Sequence, residues 1–177
     1  MPNEGRRNVQ TINENREAAM IFDTLNVKRE SAVTFVEIAA PPMNLLGAEL
    51  VRDLLSLIQN AEADDSIQVL VFKSGDPDYF ISHVDVTRIR ENREAAAKLS
   101  GDASIGQMLR YLSASRLVTI AQIEGRVRGV GSEFVLACDM RFASRESAIF
   151  GQFDARSDSW RGRRTTSRPI DGPRASA

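Results

Sequence analysis

The sequence is short of the residues that carry the commonest covalent and metal chemistry. Its 177 residues include one cysteine and one histidine. The single cysteine, Cys138, excludes an internal disulfide and fits a reducing compartment. Its apolar neighbours Leu136 and Ala137 predict a buried, inert thiol. The single histidine, His83, makes a poor metal site, so no metal is expected. Ser82, His83 and Asp85 are the residue types of a catalytic triad, but sequence neighbours rarely point at one another in a triad. An excess of one charge is missing too. The 23 Lys+Arg and 24 Asp+Glu leave a net charge of −1, so bulk electrostatics favours neither nucleic acid nor a membrane surface. No apolar run approaches the ~20 residues that cross a bilayer. The opening MPNEGRRNVQTINENREAAM lacks the apolar core of a secretory signal. A soluble, cytoplasmic protein is the expectation.

What is present is enough chain for one domain with a core, organised around Leu117–Cys138, LVTIAQIEGRVRGVGSEFVLAC. Val118, Ile120 and Ile123 have the β-branched bias of a strand. Gly125, Gly129 and Gly131 then let the backbone bend and approach a ligand closely. Phe134 to Ala137 read as the start of a buried helix, with one carboxylate, Glu133, among its unpaired N–H groups. Glu133 could simply favour the positive end of the helix dipole. The glycine spacing is not G-x-G-x-x-G, so a dinucleotide site is not expected. Arg126 and Arg128 read as solvating the loop.

Three regions follow from the pattern. Residues 1–20 form a polar N-terminal extension, 21–154 the core, and 155–177 an Arg-rich tail. Within the core, strands are predicted over Phe22–Lys28 and Ala32–Ile38. Asn44 is predicted to cap a helix carrying Leu50, Leu54, Leu55, Leu57 and Ile58 at helical spacing. Val69–Phe72 is a short apolar run, as in a buried strand. A strand, a crossover helix and a second buried strand imply a parallel pair and an α/β fold. Tyr79–Val86 reads as a loop, Thr87–Lys98 as a solvated helix, and Ile105, Met108, Leu109 and Leu112 as the apolar stripe of another helix. Ala143–Phe150 returns to a strand-like pattern. The tail has six arginines, no lysine and no periodicity, so disorder is expected there.

Four stretches in order resemble the enoyl-CoA hydratase/isomerase family, the crotonase superfamily. Pro42-Met43-Asn44-Leu45-Leu46 is similar to the family's Pro-x-x-Asn-Ala-Leu, and Phe80-Ile81-Ser82-His83-Val84-Asp85-Val86 to its Phe-Ser-Ala-Gly-Ala-Asp-Leu. Gly125 through Gly129-Val130-Gly131-Ser132-Glu133, with Ala137-Cys138-Asp139, resembles its Gly-x-x-x-Gly-Gly-Gly-x-Glu-Leu and following Cys-Asp. Phe150-Gly151-Gln152-Phe153-Asp154 resembles its Phe-Gly-Gln-Pro-Glu. The resemblance implies a crotonase-like spiral of ββα repeats, incomplete at its C-terminus. It implies an acyl-CoA thioester as substrate, in fatty acid metabolism, with no cofactor beyond the coenzyme A of that substrate. It also implies a homotrimer, or a dimer of trimers, for an intact member.

At matching positions the backbone N–H groups of Val84 and Val130 would form an oxyanion hole, with Glu133 and Asp154 as the two catalytic carboxylates of a hydratase. Isomerisation of the double bond would need only one of them. Substrate-binding positions would be Met43, Leu45, Ser82, His83, Asp85 and Val86, with Gly129 and Phe153, beside Val84 and Val130 themselves. His83 and Val130 replace glycines of the pattern and would be strained if the loop needs φ > 0 at either. Family members continue past the Asp154 position, whereas the composition from Ala155 onward fits GC-rich DNA read out of frame. A truncated or frame-shifted chain is therefore expected, the alternative being a genuine short form. Hydration of a 2-enoyl-CoA is the leading expectation. A sister activity on the same site, or a non-catalytic acyl-CoA-binding fragment, is the alternative.

Overall fold

The structure, a computed structural model, describes residues 21–85 and 104–151. Its element order is β1 (Leu25–Glu30), β2 (Val33–Ile38), α1 (Ala48–Ala63), β3 (Val69–Ser74), β4 (Tyr79–Ile81), α2 (Ile105–Ser113), β5 (Val118–Ile123), β6 (Arg126–Arg128), α3 (Val130–Ala137), β7 (Met140–Ala143) and β8 (Ile149–Gly151). The chain is α/β, and its elements run as ββα repeats. After the first repeat, each repeat sends its first strand to one sheet and its second strand to another. A five-stranded sheet has the order β1-β2-β3-β5-β7, and a three-stranded sheet the order β4-β6-β8. β1 and β2 form an antiparallel hairpin, and the other pairings within both sheets are parallel. This is the spiral that the resemblance implies.

Simple periodicities build most of it. In β2, Thr34, Val36 and Ile38 point into the core while their neighbours are half-open, the period of two of a strand covered on one face. In α1, Leu50, Val51, Leu54, Leu55, Leu57, Ile58 and Ala61 form one buried stripe. Asp53 interrupts that stripe because its carboxylate accepts from Asp23 N–H, Thr24 N–H and Thr24 Oγ1 at 3.0, 3.0 and 2.8 Å, pinning the chain ahead of β1. Three aromatic rings join the layers. Phe72 of β3 meets Phe134 of α3 edge-on at 5.2 Å, and Phe80 of β4 lies 6.3 Å from Phe134. Both sheets and the helix that follows β6 are thereby locked to one another.

Several boundaries differ from the sequence reading. The first strand is Leu25–Glu30 rather than Phe22–Lys28, because its register is set by pairing with β2, Leu25 opposite Ile38. Tyr79–Ile81 is a strand rather than a loop, and so is Arg126–Arg128 between the glycines. At three residues each, neither is long enough to show a period. Ala143–Phe150 is the end of one strand, a turn and the start of another. Asn44 does not cap α1, whose N-cap is Gly47 with no side-chain hydrogen bond. The helix expected over Thr87–Lys98, the N-terminal extension and the Arg-rich tail lie outside the described residues.

Candidate active site

Parallel pairing decides where the site can be. In the small sheet Ile81 lies opposite Val127, Val127 opposite Phe150, and Arg128 opposite Gly151. The three strands therefore end at one edge. From that edge leave Ser82–Asp85 after β4 and Gly129–Glu133 after β6, and β8 ends there at Gly151. Ligands of parallel α/β sheets bind outside the carboxyl ends of the strands, and three of the four matched stretches exit at this edge.

The β6 exit is a tight turn into α3. Gly129 has φ 50°, ψ −122°, a conformation that glycine reaches without steric cost. Its N–H donates to Gly151 O at 3.1 Å, and its carbonyl accepts from Ser132 N–H at 2.9 Å and Glu133 N–H at 3.3 Å. Val130 opens the helix, and its N–H has no partner among the described residues. Gly131 sits flush on the end of β4: a Cβ there would lie 2.4 Å from Ile81 O. That contact sets the helix start beside the β4 exit. Glu133 is one turn further on and exposed, and its carboxylate has no partner among the described residues.

At the β4 exit, Leu46 forms an isolated parallel bridge with Val84. Leu46 N–H donates to His83 O at 2.9 Å and Asp85 N–H to Leu46 O at 3.2 Å. Val84's own N–H and C=O consequently face away from Leu46. The carbonyl lies 2.7 Å from His83 Nδ1. The N–H has no partner among the described residues. Both unpartnered N–H groups, Val84 and Val130, thus belong to peptides whose carbonyls, His83 O and Gly129 O, already accept. Such bonds polarise the peptide and strengthen its N–H as a donor. The expected strain is absent: positive φ falls on Gly129, and His83 and Val130 are not among the residues with φ > 0.

Asn44 holds this arrangement together. It is buried, accepts from Ala40 N–H at 2.9 Å, and donates to Ser74 Oγ at 2.8 Å, Phe80 O at 3.2 Å and Tyr79 O at 3.3 Å. One side chain ties the end of β3, strand β4 and the loop carrying Met43 and Leu45. Met43 and Asn44 have φ 59° and 48°, in the left-handed region that asparagine tolerates well. Met43 is exposed and Leu45 half-buried, and the Leu46 bridge sets this loop beside Val84. Neither Asn44 nor Leu46 was legible as a builder of the site. The local signal in Asn44, a short polar side chain after Pro-Pro, fits a helix cap equally well. Val86, Phe153 and Asp154 lie outside the described residues.

Comparison with known proteins decides the family. The family model for enoyl-CoA hydratase/isomerase matches residues 28–159. The chain belongs to the enoyl-CoA hydratase/isomerase family. Among solved structures it is similar to a candidate enoyl-CoA hydratase of Streptomyces avermitilis, at 46% identity and TM-score 0.69, covering 77% of this chain and 50% of that one. It is also similar to DspI of Pseudomonas aeruginosa, at 29% identity and TM-score 0.62, covering 75% and 55%. The fatty acid oxidation complex subunit alpha of Idiomarina loihiensis is 30% identical over 126 residues, 70% of this chain and 18% of that protein. The chain thus spans about half the length of these solved structures and less than a fifth of the curated relative.

Other residues of this enoyl-CoA hydratase/isomerase chain have structural duties. Arg126 is not simply solvated. It stacks over the Tyr79 ring at 5.3 Å and pairs with Asp78 at 3.6 Å. Ser82 is 2% exposed, and its hydroxyl has no hydrogen-bond partner among the described residues. An unmade bond at a buried hydroxyl costs about 1–3 kcal/mol. Ser82→Ala, which restores the alanine of the matched motif, is expected to leave the fold intact and raise stability by about 1 kcal/mol. Denaturant unfolding checks this, and a clear loss of stability would contradict it. Cys138 is buried, and that burial pushes its thiol up to about 12. A thiol reagent at neutral pH is expected to modify it slowly in the folded chain and fast in denaturant. Among the described residues no helix is long and apolar enough to cross a membrane.

Proposed function

We propose that the edge formed by β4, β6 and β8 binds an acyl-CoA thioester and hydrates a 2-enoyl-CoA. The observation that carries this reading is the pair of N–H groups, Val84 and Val130, on two loops leaving the same sheet edge, with the Glu133 carboxylate one helical turn beyond, all three without a partner among the described residues. The thioester oxygen accepts from both N–H groups. As water adds to C3 of the enoyl group, Glu133 takes the water proton. The electron pair of the C2–C3 double bond shifts to C1–C2 and the carbonyl π pair moves onto the thioester oxygen, giving an enolate. Return of a proton to C2 completes the hydration, with all atoms of water added. The two donors stabilise charge where it develops, which is worth more than uniform substrate binding. Asp154 is proposed as the second carboxylate on the water. The CoA is part of the substrate, and this chemistry calls for no further cofactor. A homotrimer, or a dimer of trimers, is proposed for an intact member of the family.

A second reading on the same site is isomerisation of a 3-enoyl-CoA to the 2-enoyl form. It rests on Glu133 alone, which can take the proton from C2 and deliver it to C4. The test is an absorbance assay with 2-enoyl- and 3-enoyl-CoA esters of several chain lengths. Loss of the conjugated-enoyl band supports hydration and its appearance supports isomerisation. Binding of acyl-CoA with no turnover of either would make the chain a non-catalytic binder.

A further inference from the structure

We propose that His83 is a positioning residue that caps the Val84 carbonyl, so that the one polar backbone group Val84 offers a ligand is its N–H. This rests on the acyl-CoA reading above. An extended residue points its N–H and C=O to the same side of the strand. Leu46 occupies one side, through His83 O and Asp85 N–H, so Val84's two groups lie together on the other. Left bare, the carbonyl would hold a partly negative oxygen beside the place where the thioester oxygen becomes an anion, opposing the N–H. His83 Nδ1 lies 2.7 Å from that carbonyl. A carbonyl only accepts, so the ring nitrogen donates, and in the neutral ring Nε2 keeps the lone pair. The bond draws charge off the carbonyl and fixes the peptide that follows. Between His83 O and Asp85 N–H, the Val84 N–H is then the backbone group left unpartnered among the described residues. The glycine of the matched motif has no side chain to supply this cap.

The chain contains one histidine, so its imidazole nitrogens can be observed without assignment ambiguity. At a pH where the ring is neutral, ¹⁵N NMR is expected to show the Nδ1-protonated tautomer. A predominant Nε2-protonated ring overturns the cap, whether or not a ligand binds. The functional arm compares acetoacetyl-CoA, whose enolate carries the oxyanion, with butyryl-CoA, which cannot. His83→Ala, which bares the Val84 carbonyl beside the oxyanion, is expected to weaken acetoacetyl-CoA about tenfold and butyryl-CoA by much less. His83→Asn places an amide nitrogen near the Nδ1 position and should restore the wild-type ratio, whereas His83→Gln should not. Equal loss for both ligands, no loss, or rescue by glutamine as good as by asparagine would overturn the proposal. If the wild-type chain binds neither ester while the Nδ1 tautomer is present, the acyl-CoA reading fails and the hydrogen bond stands as a structural one.

Discussion

Replacing Glu133 with glutamine is expected to abolish most turnover while leaving acyl-CoA binding intact. The substitution is isosteric. The side chain is exposed and without a partner among the described residues, so the fold has little reason to respond. Only the ability to take a proton is lost. Positioned acid–base catalysis contributes roughly a hundred- to ten-thousand-fold, and kcat should fall by that order. The dissociation constant for a saturated acyl-CoA should stay within about twofold, because the thioester contacts proposed here are backbone N–H groups. Turnover that survives at the wild-type rate would remove Glu133 from the chemistry. A matching loss of affinity and activity would make it a binding residue instead.

Gly131→Ala should produce the largest loss of stability. Two effects compete at this position. Alanine is the better helix former by about 1 kcal/mol, and Gly131 is in the first turn of α3. Against that, the new Cβ would lie 2.4 Å from Ile81 O and 3.2 Å from Ile81 C, both backbone atoms of β4. A flexible side chain could move aside, but a strand in the sheet cannot move without breaking its pairing with β6. The clash should therefore win, at about 3 kcal/mol net, which lowers Tm by roughly 6–12 °C for a domain of this size. Acyl-CoA affinity should fall as well, since relief of the clash separates the Val130 and Val84 loops. Gly106→Ala is the control. It lies in α2 with nothing among the described residues within 4 Å of the added carbon, and should stabilise by about 0.5–1 kcal/mol. If both substitutions stabilise, the close seating of α3 on β4 is wrong.

How much of this was legible in the sequence depended on the range of the interaction involved. Leu50, Leu54, Leu57 and Ile58 write a helical stripe into one window of residues, and α1 could be read from it. The alternation of Val33–Ile38 did the same for β2, and the apolar run Val118–Ile123 for β5. The small sheet was not legible, because Tyr79–Ile81, Arg126–Arg128 and Ile149–Gly151 are three residues each and exist through pairing with one another. That sheet gathers the candidate site, so what gathers it was hidden as well. Asn44 shows the same limit. Its local chemistry suggested a cap, whereas its partners Tyr79 and Phe80 lie 35 and 36 residues away. Glu133, Val84 and Val130 could be singled out through the family motifs. That their N–H groups and carboxylate lack partners among the described residues followed once the bridge to Leu46 and the turn at Gly129 were known.

The proposed function requires that the Val84 and Val130 N–H groups receive the thioester oxygen. Infrared difference spectroscopy of an acyl-CoA labelled with ¹³C at the thioester carbonyl tests it most directly. If two backbone donors hold the oxygen, the labelled C=O stretch moves to lower frequency on binding, and the shift shrinks in Gly131→Ala. A bound ligand whose carbonyl stretch stays at its solution frequency would contradict the account.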